Sequence, residues 1–193
     1  RFREVIGSLV THLHAFAREV QLTHEEWNAG IDFLCRAGRI SDDKRNEFVL
    51  TSDVLGLSSL VDLLNGSTHG TESSVLGPFY VEGAPLLPVG ASIVGANSGE
   101  RVLMHGRVLD TACRPLAGAL LDFWQTDADG LYSQATPHMP EFNLRCRMLT
   151  DAQGRYALQT VKPRYYSVPY DGPVGDLLRG GGRHALRPSH FHV

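Results

Sequence analysis

Immediately before its final Val193 the chain carries Arg187-Pro188-Ser189-His190-Phe191-His192. Two histidines spaced by two on a strand point to the same side, so one sheet can offer two imidazoles to a single ion. Imidazole suits Zn, Cu, Fe and Ni alike, so the pair names no metal, and its plain alternative is two surface histidines. Tyr132 follows Asp129-Gly130-Leu131, and Tyr166 precedes Ser167-Val168-Pro169, each beside turn residues. Taken alone, these are amphipathic aromatics at sheet edges. Set beside His190 and His192, they change the chemistry on offer. Phenolate is a hard anionic donor, and two phenolates with two imidazoles favour Fe(III) over Fe(II) or Zn. Such an ion would hold the tyrosines far below their usual pKa of ~10.

Elements able to position these groups can be read along the chain. Phe2, Val5, Ile6, Leu9, Leu13, Phe16, Ala17 and Val20 recur at helical steps and share a face. Thr23 followed by Glu26 is a capping-box pattern that starts a second helix, expected to run through Trp27, Ile31 and Leu34 and to stop near Gly38. A third helical stretch is expected from about Ser41 through Leu64, broken or kinked at Gly56, with Asn65-Gly66-Ser67-Thr68 as the terminating turn. From about residue 69 Gly and Pro become frequent and apolar runs shorten. Arg101 to Leu109, Ala119 to Gln125, Arg145 to Thr150 and Arg155 to Val161 read as strands, separated by turn signals such as Asp129-Gly130 and Gln153-Gly154. Short strands at near-regular spacing point to a β-sandwich. The expected fold is therefore mainly β with α: a helical domain over 1–68 and a β-sandwich domain over 69–193.

Composition excludes several classes. At 193 residues and 42% hydrophobic, the chain can build one core, or one core with a small accessory domain. A net charge of -3 with 20% charged residues gives no sign of a nucleic-acid-binding polycation. No apolar run approaches the ~20 residues of a membrane span. Cys35, Cys113 and Cys146 are isolated, read as packed small residues, and fit a reducing cytoplasm better than a disulfide framework. The chain does not begin with Met and reads as a fragment.

Longer stretches carry a resemblance. Met104-His105-Gly106-Arg107-Val108 through Leu121-Asp122-Phe123-Trp124-Gln125 to Gly130-Leu131-Tyr132 is similar to the signature of the intradiol ring-cleavage dioxygenases. One departure is Cys113, where that pattern expects Gly or Ser. Tyr166-Ser167-Val168-Pro169-Tyr170-Asp171-Gly172-Pro173 resembles the family's second tyrosine segment, and the last six residues quoted above resemble its Arg-Pro-Ala-His-x-His. Glu72 to Tyr80 resembles the segment that follows the helical domain in the catechol and hydroxyquinol branches.

The resemblance implies a set of expectations. One non-haem Fe(III) per subunit is held by Tyr132, Tyr166, His190 and His192. An aromatic diol displaces Tyr166, which accepts a proton, and reacts with O2 to open the ring between its two hydroxylated carbons. Arg187 stabilises the developing negative charge. Leu50, Asp53, Val75, Gly77, Pro78 and Phe79 line the substrate pocket, while Tyr80 is a structural neighbour. Hydroxyquinol (benzene-1,2,4-triol) is the favoured substrate, with Asp53 accepting a hydrogen bond from the third hydroxyl; catechol and chlorocatechol are the alternatives. The resemblance further implies a homodimer formed through the helical domain, a bound phospholipid and more strands beyond Val193. An amphipathic helix by default builds an ordinary core, and that reading is preferred for residues 2–20. Two other classes remain open: a metal-free β-sandwich binding module, and a zinc hydrolase, which would lack a carboxylate or third histidine at suitable spacing.

Overall fold

The computed structural model describes residues 1–66 and 69–193, so the expected turn at Ser67-Thr68 and the boundary drawn there lie outside the described residues. The chain forms two compact units, Arg1–Arg39 and Ile40–Val193.

In the first unit, α1 (Phe2–Glu19) and most of α2 (His24–Ile40) follow the helical periodicity. The capping box at the start of α2 is closed in both directions: the Glu26 amide donates to Thr23 Oγ1 at 3.2 Å, and the Thr23 amide donates to Glu26 Oε2 at 2.9 Å. Gly38 does not stop α2, which runs on to Ile40. The ordinary core expected of α1 is not built, because α1 buries no residue and Phe2 (80%), Leu9 (51%) and Phe16 (52%) are exposed. Cys35 is exposed as well.

The second unit opens with two short helices, α3 (Glu47–Val54) and α4 (Leu57–Asn65), so the long third stretch is divided at Leu55–Gly56. Asn46 caps α3 by accepting the Val49 amide at 3.0 Å. Three sheets follow. The largest joins β1 (Leu86–Leu87), β4 (Arg145–Leu149), β3 (Leu120–Gln125) and β8 (Phe191–His192) in that order. A second pairs β2 (Arg101–Arg107) with β5 (Arg155–Val161), antiparallel from Arg101↔Val161 to Arg107↔Arg155. A third pairs β6 (Tyr166–Ser167) with β7 (Leu186–Arg187), and α5 (Pro173–Gly180) lies between them in the chain.

Strand alternation gives the first two sheets a common interior. Phe123, Cys146, Met148 and Leu158 are buried together, with Met104, Leu121 and Tyr156 packed against them. Cys146 is thus the packed cysteine that was expected, and burial pushes its thiol up to about 12. Cys113 is not packed: it is exposed at φ 61, a left-handed position that suits the glycine of the family pattern. Among the described residues no helix is long and apolar enough to cross a membrane.

Candidate metal centre and active site

β8 is a two-residue strand, but its register decides the centre. It pairs antiparallel with β3 at Trp124↔His192 and Gln125↔Phe191. Trp124 and His192 rings stack at 4.3 Å and 6°. Behind Trp124, Tyr80 meets the indole edge-on at 5.1 Å and donates its hydroxyl to Asp122 Oδ2 at 3.1 Å, as expected of a structural neighbour. His190 stands just before β8, not within it. Its Nδ1 lies 2.9 Å from the Pro188 carbonyl, which can only accept, so Nδ1 carries a proton and Nε2 is the nitrogen that would bind an ion. That Nε2 is 2.8 Å from Nε2 of His192.

The tyrosines arrive by another route. After β3 the chain turns on Asp127, whose Oδ1 accepts the amides of Asp129 and Leu131 at 2.9 Å each. Gly130 sits at φ +83, and a Cβ there would strike the Tyr165 carbonyl oxygen. The Arg164 amide donates to the Asp127 carbonyl at 3.2 Å. This close approach brings Tyr132 and Tyr166 together, with ring centres 5.1 Å apart at 85°. Tyr166 is in turn 5.6 Å from the His190 ring. Phe79 stacks on Tyr132 at 4.5 Å and 10°, and meets Tyr166 edge-on at 5.5 Å.

Electrostatics sets the protonation of these groups. Burial pushes the Tyr132 phenol well up, with Tyr166 adding to the rise and Arg145 opposing it. Burial also raises Tyr166, against the pull of Arg187. Burial, with His190 and Arg145 adding, pushes His192 down to about 4, so its imidazole is neutral at ordinary pH. A neutral His192 imidazole therefore approaches the His190 ring nitrogen to nitrogen beside two phenols. Two metal–nitrogen bonds of ~2.1 Å at a right angle span ~3 Å, so the 2.8 Å separation fits a shared ion. Among the described residues no three His, Cys, Asp or Glu gather as a metal site, and the groups nearest the two histidines include Tyr166, which in turn packs against Tyr132.

Arg145 supports the same donor set. It is 2% exposed, and its guanidinium lies 5.8 Å from the Tyr132 ring centre. Its Nε donates to Ser133 Oγ and one terminal nitrogen to Gln134 Oε1, each at 2.8 Å, while Nη1 has no partner. Among the described residues it forms no ion pair. Its charge, shared electrostatically with Asp122, opposes the burial that raises the Tyr132 phenol and so pulls toward the phenolate.

Tyr166, His190 and His192 line a cavity of about 730 Å³. α3 contributes Leu50 and Asp53; the irregular segment before β1 contributes Val75, Gly77, Pro78 and Phe79; the sheet ends contribute Tyr166, Arg187, His190 and His192. Tyr132, 3% exposed, lies behind Phe79. Arg187 is directly opposite Tyr166 in the β6–β7 pair, and its Nη1 donates to the carbonyls of His184 and Leu186 at 3.3 and 3.0 Å. A larger groove of about 1590 Å³ shares Asp53 and Val75–Pro78 with the cavity but touches none of the four donors. The expected site residues thus converge. Trp124 and Arg145 are additions: neither carried a role in the sequence, since stacking and burial against a tyrosine depend on strand pairing.

Comparison with known proteins follows the same lines. The family described as Dioxygenase matches residues 75–193, and Catechol dioxygenase N terminus matches residues 1–71. A catechol 1,2-dioxygenase of Candida albicans is 46% identical over all of this chain and 65% of its own length. A hydroxyquinol 1,2-dioxygenase of a Rhizobium species is 45% identical over all of this chain and 66% of its own. The crystal structure of hydroxyquinol 1,2-dioxygenase from Pseudomonas putida superposes with a TM-score of 0.90 at 47% identity, covering all of this chain and 68% of that one. The chain thus spans just under two thirds of the length of these two curated relatives. With a family matched over most of its length and that likeness to a solved structure, the chain belongs to the intradiol ring-cleavage dioxygenases.

Proposed function

We propose that this chain is the metal- and substrate-binding part of an Fe(III) dioxygenase that opens hydroxyquinol between its two adjacent hydroxylated carbons, using O2 and giving a maleylacetate- or muconate-type diacid. The observation that carries the reading is the clustering of Tyr166, His190 and His192 on one cavity, with Tyr132 packed against Tyr166 behind Phe79. These four would hold one non-haem iron per subunit, which when bound supplies Lewis-acid polarisation and electron acceptance from the aromatic diol.

The chain's own residues account for the rest. Tyr166 is the more available of the two tyrosines, since it lines the cavity while Tyr132 is covered by Phe79; as the phenolate that iron binding would make it, its oxygen would accept a diol proton. Arg187, facing Tyr166 across the ladder, stabilises negative charge that develops on the substrate. Phe79 and Pro78 flank the ring and exclude water. Asp53 lines the cavity, and among the described residues its carboxylate accepts no hydrogen bond, so it is free to take one from a third ring hydroxyl. A second reading, catechol as substrate, is favoured by the Candida relative's activity. The exposed apolar face of α1 supports pairing with a second copy and a bound phospholipid, and the three free cysteines support a cytoplasmic setting.

The test is the visible spectrum of iron-loaded protein. A broad phenolate-to-iron band that shifts on anaerobic addition of hydroxyquinol is expected; a colourless protein holding stoichiometric zinc would overturn the reading in favour of a hydrolase. Asp53→Ala is expected to lower the hydroxyquinol-to-catechol ratio of kcat/KM by about 10-fold. An unchanged ratio would move the assignment to catechol.

A further inference from the structure

We propose that Glu47 is a positioning residue for substrate choice: through the N-terminus of α5 it sets where Leu50 and Asp53 stand against Tyr166 and Arg187. This rests on the hydroxyquinol reading above and extends it to a residue outside the cavity.

Glu47 is fully buried, at 0% exposure. Its Oε2 accepts from Arg45 Nε at 3.0 Å, and its Oε1 accepts the backbone amide of Val174 at 3.0 Å. Val174 is in the first turn of α5, after Pro173, which has no amide to donate. The residue preceding the helix is Gly172, which has no side chain with which to cap it. Glu47 therefore does from another helix what an N-cap side chain does locally, and its charge suits the positive end of the α5 dipole. The approach is tight. A Cβ on Gly172 would lie 2.7 Å from both Arg45 Nη2 and Glu47 Oε1, so this ion pair occupies the space that a side chain at position 172 would take. Arg45 extends the clamp outward to Asp171 at 2.9 Å.

The other end of α3 is fastened by the same excursion. Arg183, just past α5, donates to the carbonyl of Val54, the last residue of α3, at 2.9 Å. The chain between β6 and β7 thus grips α3 at both ends. That chain starts one residue after Ser167 of β6 and returns to Arg187, so the grip is referenced to the Tyr166–Arg187 pair. The principal packing partners of α3 are α4 and α5. Leu50 and Asp53 lie between the two fastenings and line the cavity. A carboxylate that must meet one hydroxyl of a bound ring loses discrimination when it moves by a fraction of an ångström.

The experiment measures kcat/KM for hydroxyquinol and for catechol with iron-loaded wild type, Glu47→Gln, Arg183→Gln, Asp53→Ala and the double variant Glu47→Gln/Asp53→Ala. A ratio of two rates cancels the fraction of protein that is folded, so lost stability alone does not move it. Gln can satisfy the Val174 amide or face Arg45 Nε, but its amide group cannot serve both as the carboxylate does. The expected result is a hydroxyquinol-to-catechol ratio about 10-fold lower in Glu47→Gln and about 3-fold lower in Arg183→Gln, with the iron band unmoved and no further fall from Glu47→Gln in the Asp53→Ala background. Arg183→Gln keeps the test decisive if Glu47→Gln does not fold. Coloured, active variants with a lowered melting temperature and an unchanged ratio would overturn the role of Glu47 alone. A colourless wild type inactive on both diols would overturn the proposed function, and this inference with it.

Discussion

The site has a floor and a wall, and they are made differently. The floor consists of Trp124, Tyr132, His190 and His192, held by strand register, ring stacking and the Gly130–Tyr165 contact; Trp124 and Tyr132 are 6% and 3% exposed. The wall consists of Leu50 and Asp53 on α3 and the run Glu72–Gly77, which has no regular secondary structure and no buried residue. Floor positions are each constrained by several partners at once. Wall positions rest on a few side-chain fastenings. Such a division lets the metal chemistry stay constant while the fit to the ring varies, which accords with relatives of similar identity that carry catechol and hydroxyquinol names.

The comparison breaks most visibly if the floor is disturbed. Gly130→Ala forces a side chain into a left-handed backbone against the Tyr165 carbonyl, and should cost about 3 kcal/mol by combined strain and clash. Urea unfolding measures the cost. Activity toward hydroxyquinol and catechol should fall together, because Tyr132 and Tyr166 lose their mutual placement.

Acid should act on the floor as well. In metal-free protein, burial penalises the His192 imidazolium, whose folded pKa is about 4 against ~6.5 in an unfolded chain. The unfolded state therefore binds the proton first. The contribution is complete above pH ~6.5 and is lost as pH falls toward 4, with a size on the order of 2 kcal/mol. Urea midpoints of metal-free protein between pH 7 and 4.5 should fall accordingly, and His192→Phe should flatten that part of the profile.

The wall gives the smallest effect and the sharpest contrast. Val75→Ala removes methyl groups from a half-buried cavity residue. It should leave stability within about 1 kcal/mol and the iron band in place, while altering the relative kcat/KM of hydroxyquinol and catechol about two- to fivefold. If Val75→Ala bleached the band, the division into floor and wall would be wrong.

Much of this was legible in the sequence where a signal is local. Arg155–Val161 was readable from its alternation and flanking turn residues, and the Thr23–Glu26 box from the spacing its two hydrogen bonds require. The convergence of the two tyrosines and two histidines was legible only through resemblance, because nothing at Tyr132 announces Tyr166. What stands opposite a residue after folding is not written in its neighbours. Arg145 begins a strand like any other arginine, and its burial against Tyr132 follows from the β3–β4 register. Glu47 has the pattern of a solvent-facing first-turn carboxylate, yet its partner lies in α5. That helix itself was missed, since Pro173–Gly180 is short and glycine-rich enough to read as loop. The apolar face of α1 and the exposed Cys35 and Cys113 show the converse: composition argues for burial but does not supply something to be buried against.

The pairing of β8 with β3 bears on the order in which the molecule is made. Trp124 and His192 are adjacent in space but far apart in the chain, on the third and the last of its strands among the described residues. Contacts of such long sequence separation close late, after local turns and hairpins have formed. The loop carrying Tyr132 and the β3–β4 pair can be in place while the histidines are still being synthesised. Under the proposed function, capture of the ion would then be a late act of folding, and a growing chain would expose at most half of the proposed ligands to the wrong metal.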